Sequence, residues 1–218
     1  MKKIIILLLL LHATLMASAY HIVVDSIYYN FTSDSTLEVT YFYVQGNYIY
    51  YRGDIVIPAS VTYEGKKYAV TSVGKFAFFK TDSLWSVSLP TSIRHIDDDA
   101  FLSSSIVTMK LPMGMCEIGN IFSHCGCLKS IFLPSTLTKI ASSNFIFNCL
   151  QLEEIVCYAD TPPVFTDTNI NNYFLKKCTL RVPKESVDAY RSAIGWKECK
   201  KIVAIDSSNV AHTRIFAE

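Results

Sequence analysis

Residues 130–140 read "SIFLPSTLTKI", residues 108–118 read "TMKLPMGMCEI" and residues 86–96 read "SVSLPTSIRHI". Leu-Pro recurs in one frame, with Pro90, Pro112 and Pro134 spaced by 22. Pro58 stands 32 earlier than Pro90 because "YEGKKYA" (63–69) and its neighbours form an insertion. Aligned on these prolines, apolar residues fall into register. Val70, Ile93, Met115 and Leu137 share one slot, and Val73, Ile96, Ile118 and Ile140 the next. Phe78, Phe101, Phe122 and Phe147 follow, then Leu84, Ile106, Leu128 and Leu152. Val87, Met109, Ile131 and Ile155 come next, and Leu89, Leu111, Leu133 and Cys157 close the unit.

A period of 20–29 residues with ordered Leu and Ile slots predicts a β-rich leucine-rich-repeat solenoid of about four coils of 22–23 residues, over residues 57–157. One such unit cannot bury its own apolar face, so stacked units share a continuous core, each touching only its neighbours. In "LWSVSL" (84–89) the alternation places Val87 and Leu89 inward and Ser88 outward. Proline fixes φ and has no N–H, so Pro90, Pro112 and Pro134 end the strand and begin the corner. Leu fills the core slot and Pro marks the turn, once per coil.

These stretches resemble the BspA-like leucine-rich-repeat secreted and surface proteins. The resemblance is carried by "LPTSIRHIDDDAFLSSSIVTMKLP" (89–112) and "VTSVGKFAFFKTDSLWSVSLP" (70–90). "GDIVIPASVTYEGKKYAVTSVG" (53–74) is similar to that family's N-terminal segment. "CYADTPPVF" (157–165) with "TLRVPKESVDAYRSAIGWKECKKIVAI" (179–205) is similar to its closing module. The resemblance covers nearly all of residues 20–205. It implies export from a host-associated bacterium and, for some members, adhesion to extracellular-matrix proteins. This chain departs from the family in its short units, its few copies, and Ala141-Ser142 where the family usually has Ile-Gly.

The chain has 218 residues, which favours a single domain. Its first 19 residues carry a basic Lys2-Lys3 start, an apolar run from Ile4 to Leu11 and an Ala17-Ser18-Ala19 cleavage motif. That is the pattern of a secretory signal peptide, so the mature chain is expected to begin at Tyr20 and to be secreted or held at the cell surface. No second apolar stretch approaches spanning length, so no membrane span is expected in the mature chain. Removing Lys2 and Lys3 lowers Lys plus Arg from 20 to 18 against 19 acids, a net charge of −1. With no basic run, nothing marks a nucleic-acid partner. Thirteen Tyr and thirteen Phe favour strands.

An open solenoid needs caps. Residues 20–56 are expected to form an N-terminal β cap. "IYYNFTSDSTLEVTYFY" (27–43) reads as a hairpin around Ser-Asp-Ser, and "GNYIYYRGDIVIP" (46–58) offers another short strand pair. Residues 158–205 are expected to form a C-terminal cap. Thr161-Pro162-Pro163 breaks the ladder, and "TLRVP" is a strand. "PKESVDAYRSAIGW" is an amphipathic helix with Val187, Tyr190 and Ala193 or Ile194 on one face, and "KKIVAI" is a last strand. Residues 206–218 form a tail without a readable pattern.

Seven cysteines (116, 125, 127, 149, 157, 178 and 199) are an odd number, so at least one is unpaired or pairs between chains. Cys178 and Cys199 flank the cap helix and are the candidate disulfide. Cys125 and Cys149 are expected on adjacent coils, where geometry decides whether they bond. The resemblance implies that both fill a small apolar slot, and "SHCGCL" (123–128) lacks the spacing of a zinc site. No metal or cofactor is expected. Arg52-Gly53-Asp54 matches an integrin-binding tripeptide but abuts the strand "IVIP" instead of sitting in a protruding loop. "DDD" (97–99) lacks the alternating ligands of a calcium loop and reads as a solvated corner. No nucleophile–base signature surrounds His21, His95, His124 or His212, so no catalytic residue is assigned.

The outward ladder positions are the candidate binding surface. Trp85, Val107, Lys129 and Glu153 form one row, Ser86, Thr108, Ser130 and Glu154 a second, and Ser88, Lys110, Phe132 and Val156 a third. Trp85, Ser88, Lys110, Lys129 and Phe132 are the candidate ligand-binding residues, because exposed aromatics and charges on a rigid sheet mark contact surfaces. The expected function is a non-catalytic, adhesin-like recognition module for a protein or glycan, host extracellular matrix included. The alternative is a self-assembling structural component of the envelope or extracellular space.

Overall fold

The computed structural model describes residues 20–44, 47–142, 144–167 and 173–206. The expected signal peptide, and the tail after Asp206, lie outside the described residues. Among the described residues, no helix is long and apolar enough to cross a membrane.

The chain opens with an antiparallel meander of β1 (Ile22–Val24), β2 (Ile27–Phe31) and β3 (Thr36–Thr40). The β2–β3 turn falls at Ser33-Asp34-Ser35, where the alternation places it, and Ser33 Oγ and Thr36 Oγ1 share a 2.6 Å hydrogen bond across it. β4 (Phe42–Val44) and β5 (Asn47–Ile49) form a separate antiparallel ribbon. β6 (Gly53–Val56) does not pair with β5 as the sequence suggests; it runs parallel to the strand Leu84–Ser88, which sets Ile55 beside Val87 in the core column. The 63–69 insertion is the hairpin of β7 (Ser60–Tyr63) and β8 (Lys66–Val73). Glu64 (φ 49°) and Gly65 (φ 76°) form its left-handed turn.

From there the chain coils. The strands are β9 (Leu84–Ser88), β10 (His95–Ile96), β11 (Thr108–Lys110), β12 (Glu117–Ile118), β13 (Ser130–Leu133), β14 (Lys139–Ile140), β15 (Glu154–Cys157) and β16 (Val164–Phe165). β11, β13 and β15 stack in parallel, and Met109, Ile131 and Ile155 fall in register and are fully buried. β9 packs beside β11. On the opposite wall β12, β14 and β16 stack in parallel, with Ile118, Ile140 and Phe165 in register, and β10 pairs with β8. Each fully buried Leu or Ile contributes roughly 1.5–3 kcal/mol, and it does so only through the coils on either side.

The third side of each coil is a corner, and here the structure corrects the aromatic slot. Backbone bonds run Phe78 N to Ala100 O, Phe101 N to Ile121 O and Phe122 N to Phe145 O. This register aligns Phe78, Phe101, Phe122 and Ile146, with Ala77, Ala100, Ile121 and Phe145 beside them. In the fourth coil the large ring therefore moves one place, to the buried Phe145. Phe147 turns outward, 37 % exposed, against His124 and Phe174. Three residues beyond this slot sit Thr81, Ser104, Cys125 and Cys149, all buried. Thr81 donates to Phe78 O at 2.9 Å, Cys125 to Phe101 O at 3.0 Å and Cys149 to Phe122 O at 3.0 Å. The hydroxyl bonds within its own corner, whereas each thiol reaches the corner of the preceding coil, where Phe101 O and Phe122 O already accept the Ser104 and Cys125 amides, so the thiols add a link between coils.

The ladder also continues past both expected ends. Pro162-Pro163 forms a corner and does not end the stack, since Val164–Phe165 resumes the opposite wall. Then β17 (Thr179–Val182) and β18 (Lys201–Ala204) add to β15 in parallel, so that Leu180 and Ile202 extend the core column. Between them, a 3₁₀ turn leads into α1 (Val187–Ser192), shorter than the sequence suggests. Ala193 is already extended and Gly195 takes φ 85°, which leaves Ile194 exposed. Tyr190 and Trp196 plug the last coil: Tyr190 OH donates to Ala159 O and Trp196 Nε1 to Pro163 O, each at 2.8 Å. Arg191 reaches the Ile202 carbonyl on the outermost strand.

Candidate functional site

Alternation along the ladder strands leaves one face for solvent. Thr108 lies beside Ser130, Ser130 beside Glu154 and Glu154 beside Thr179; one step along, Lys110, Phe132, Val156 and Arg181 are neighbours. The preceding positions form a third row, bonded through Lys129 N to Val107 O at 2.8 Å and Glu153 N to Lys129 O at 3.0 Å. β6 adds Asp54 beside Ser86 and Val56 beside Ser88.

A shallow groove of about 430 Å³ crosses this face from Val107 and Thr108 to Thr179 and Arg181. Lys129, Ser130, Glu153 and Glu154 form its floor. Thr108 and Ser130 share a 2.9 Å hydroxyl bond, and Arg181 Nε pairs with Glu154. Among the described residues, neither the Lys129 ammonium nor the Glu153 carboxylate has a side-chain partner, and both are exposed. The groove therefore holds two cations and two anions, one of each pre-paired and one of each open. Such an arrangement can donate and accept hydrogen bonds within one strand spacing, about 4.8 Å.

The candidate ligand-binding residues fall out unevenly. Trp85 is 70 % exposed, one coil upstream of the groove, and Ser88 and Lys110 are exposed on the same face. Lys129 is in the groove. Phe132 is only half-buried against the sheet and its neighbour Val156 is buried, so that row offers less open surface than alternation implies. Thr179 and Arg181 were missed because β17 reads as a cap strand. The available signal was Val182-Pro183, which repeats the Leu-Pro punctuation of the coils.

The remaining motifs have structural partners. Asp54 of the Arg-Gly-Asp tripeptide accepts from Ser86 Oγ at 2.5 Å, and Gly53 N donates to Ser83 O, which lays the tripeptide into the ladder. The acidic triplet staples coils: Asp97 accepts from Lys75 N, Asp98 from Asn120 N at 2.6 Å, and Asp99 from Asn120 Nδ2. Cys125 points into the core and Cys127 to solvent, which separates the two thiols of "SHCGC". His95 Nε2 lies 2.7 Å from Asp97 Oδ1 on the opposite wall, with Lys139 and Glu117 paired along the same wall.

Cys178 and Cys199 are both free, buried thiols in place of the candidate disulfide; Cys178 Sγ sits 3.2 Å from Phe174 O and 3.4 Å from Leu152 O. Cys125 and Cys149 are free as well, each committed to a carbonyl and not to the other sulfur. Burial pushes the thiols of Cys149, Cys178 and Cys199 up to about 12, so none is a nucleophile near neutrality.

Compared with known proteins, residues 55–181 match a family model described as a BspA type leucine rich repeat region, in six copies. No curated protein matches the chain. A leucine-rich repeat protein from Bacteroides ovatus, of known crystal structure, is 28% identical with a TM-score of 0.55 over 76% of this chain and 48% of its own. This chain thus spans about half of that protein. A leucine rich cell surface protein from Faecalibacterium prausnitzii aligns over 88% of this chain and 96% of its own, at 13% identity and a TM-score of 0.22, too distant to argue from.

Proposed function

This chain belongs to the BspA-type leucine-rich-repeat family, and on that premise we propose that it is an exported, non-catalytic recognition module whose outer ladder face contacts a protein or glycan. Host extracellular matrix is the partner class to try first. The carrying observation is the groove, where an open ammonium (Lys129) and an open carboxylate (Glu153) stand on a backbone fixed by parallel ladder bonds on both sides. Such a surface loses little conformational freedom on contact, which is how a modest area becomes useful affinity. Export rests on the leader pattern at residues 1–19.

The test is a binding screen of wild type and a Trp85→Ser/Lys129→Ser variant against immobilised matrix proteins and glycans, with N-terminal sequencing of the secreted product. Saturable binding lost in the variant, on a chain starting at Tyr20, supports the reading. Equal binding by both proteins sinks the ladder face as the contact surface. A self-associating structural role is the second reading, favoured by the exposed thiols Cys116 and Cys127. It requires reductant-sensitive oligomers.

A further inference from the structure

We propose that the ladder-face groove takes a neutral oligosaccharide, lying across the strands from Trp85 toward Arg181, with Lys129 and Glu153 reading its hydroxyl groups. This rests on the ladder face being the recognition surface and goes on to name the ligand class.

Charge argues first. Lys129 and Arg181 are balanced in the groove by Glu153 and Glu154, so a polyanion such as a sulfated glycan gains no attraction there. Backbone argues second. On this face the strands' N–H and C=O groups already bond to neighbouring strands, so an extended peptide finds no ladder to join; that mode needs a free edge. Of the sheet's two edges, β11 is packed against by β9, and β18 carries Lys201 and is reached by Arg191 at the Ile202 carbonyl. Apolar surface argues third. Protein contact sites centre on a contiguous, desolvated apolar cluster. Here only Trp85 and Val107 are exposed apolar side chains of their row, which passes directly to Lys129 and Glu153, and Phe132 of the neighbouring row is half-buried.

What the face does offer suits a sugar. An open carboxylate and an open ammonium one strand apart can accept from and donate to vicinal hydroxyls, and hydrogen bonds to charged groups are the stronger kind. The Thr108–Ser130 pair and the Thr179 hydroxyl add neutral donors and acceptors along the next row. Four strands, β11 to β17, span about 14 Å at roughly 4.8 Å each, room for a short chain of rings. Upstream, Trp85 is exposed and no other ring lies against it among the described residues, which leaves its indole face open to the C–H face of a terminal ring.

The test is titration calorimetry on the chain expressed from its full coding sequence, with cellohexaose, laminarihexaose, chitohexaose and xylohexaose as neutral probes. A heparin octasaccharide and immobilised fibronectin and collagen are the contrasts. The variants are Glu153→Gln, Lys129→Met and Trp85→Ala, with Asp188→Asn on α1 as an off-face control; thermal melts confirm folding. The expected result is saturable binding of at least one neutral hexasaccharide, weakened about tenfold or more by Glu153→Gln or Lys129→Met. Asp188→Asn leaves it unchanged, and about 0.5 M salt, where screening acts over a few ångström, barely affects it. Binding of heparin alone, abolished by salt, overturns the ligand class. Fibronectin or collagen binding that the face variants abolish, with no sugar bound, overturns the glycan but keeps the recognition surface. Sugar binding indifferent to all three variants overturns the placement. No binding of any probe overturns both this inference and the recognition module it rests on.

Discussion

Gly119→Ala tests how the coils are locked together. Gly119 follows the core residue Ile118, and a Cβ built on it would lie 2.0 Å from Asp98 Oδ1. That oxygen accepts the Asn120 amide from the next coil at 2.6 Å. Adding the methyl group forces the Asp98 carboxylate away and breaks the bond. A hydrogen bond to a charged group is worth about 1.5–3 kcal/mol, and the lower end applies because Asp98 is exposed. Against this, replacing Gly by Ala where φ is not left-handed stabilises by about 0.4–1 kcal/mol through the unfolded chain. The expected net loss is therefore about 0.5–1 kcal/mol, a fall in Tm of about 1–4 °C at this size. The sharper quantity is the coupling. In an Asp98→Ala background the obstruction is gone, so Gly119→Ala should become stabilising, with a coupling of about 1.5 kcal/mol in the double-mutant cycle. Urea unfolding of the four proteins reads it. Equal effects in both backgrounds would refute the carboxylate as the reason for glycine. Two coils already lack this glycine: the second has Asp97 at the position and the fourth has Ala141. At Ala141, Asn120 turns aside, donating to Asp99 and accepting from Ser123.

Other expectations follow from burial. Thiol titration of the native chain should find only Cys116 and Cys127 reactive, with the other five appearing on unfolding; a total of five or fewer thiols in the unfolded chain without reductant would instead reveal disulfides. Phe145→Ala should cost about 3–5 kcal/mol, whereas Phe147→Ala should cost about 1 kcal/mol or less. Reversed magnitudes in chemical unfolding would place the wrong ring in the core. The Tyr29 hydroxyl is buried without a partner among the described residues, so Tyr29→Phe should raise stability by about 1 kcal/mol; a clear loss would point to a bonded water. Burial raises the thiols of Cys149, Cys178 and Cys199 from an ordinary 9.0 to about 12. Below pH 9 both folded and unfolded thiols hold their protons and nothing changes. Between about 9 and 12 the unfolded chain releases protons that the folded chain keeps, so stability should fall across that window. Replacing all three with Ser should reduce that fall without abolishing it, since burial also raises Cys125, Cys157 and the tyrosines Tyr29, Tyr51 and Tyr190.

The coil period, the corner prolines and the inward residues of β11, β13 and β15 are legible in the sequence because each depends on local backbone chemistry repeated in frame. Pro ends a strand wherever it stands, and alternation sets the face of Ile131 or Phe132 without reference to anything distant. The row containing Lys129 and Glu153 is legible too: the coil from Ile131 to Ile155 is two residues longer than that from Met109 to Ile131, but the extra residues fall in the corner between Ile140 and Ile146, and alternation along the strand restores the face. The ends of the stack are not legible. Whether "TLRVP" caps the ladder or joins it depends on whether Leu180 finds Ile155 uncovered, a contact between residues 25 apart that no local pattern encodes. The shift from Phe147 to Phe145 has a similar cause: both spacings leave a ring near the core, and only packing against the neighbouring coil selects one. The groove belongs to this second class. Its floor comes from repeats that the sequence displays, but its far wall, Thr179 and Arg181, comes from a strand that only the closed tertiary stack puts there. Local chemistry determined the coil; the burial of one coil by the next decided how many strands the ladder holds and what its open face can bind.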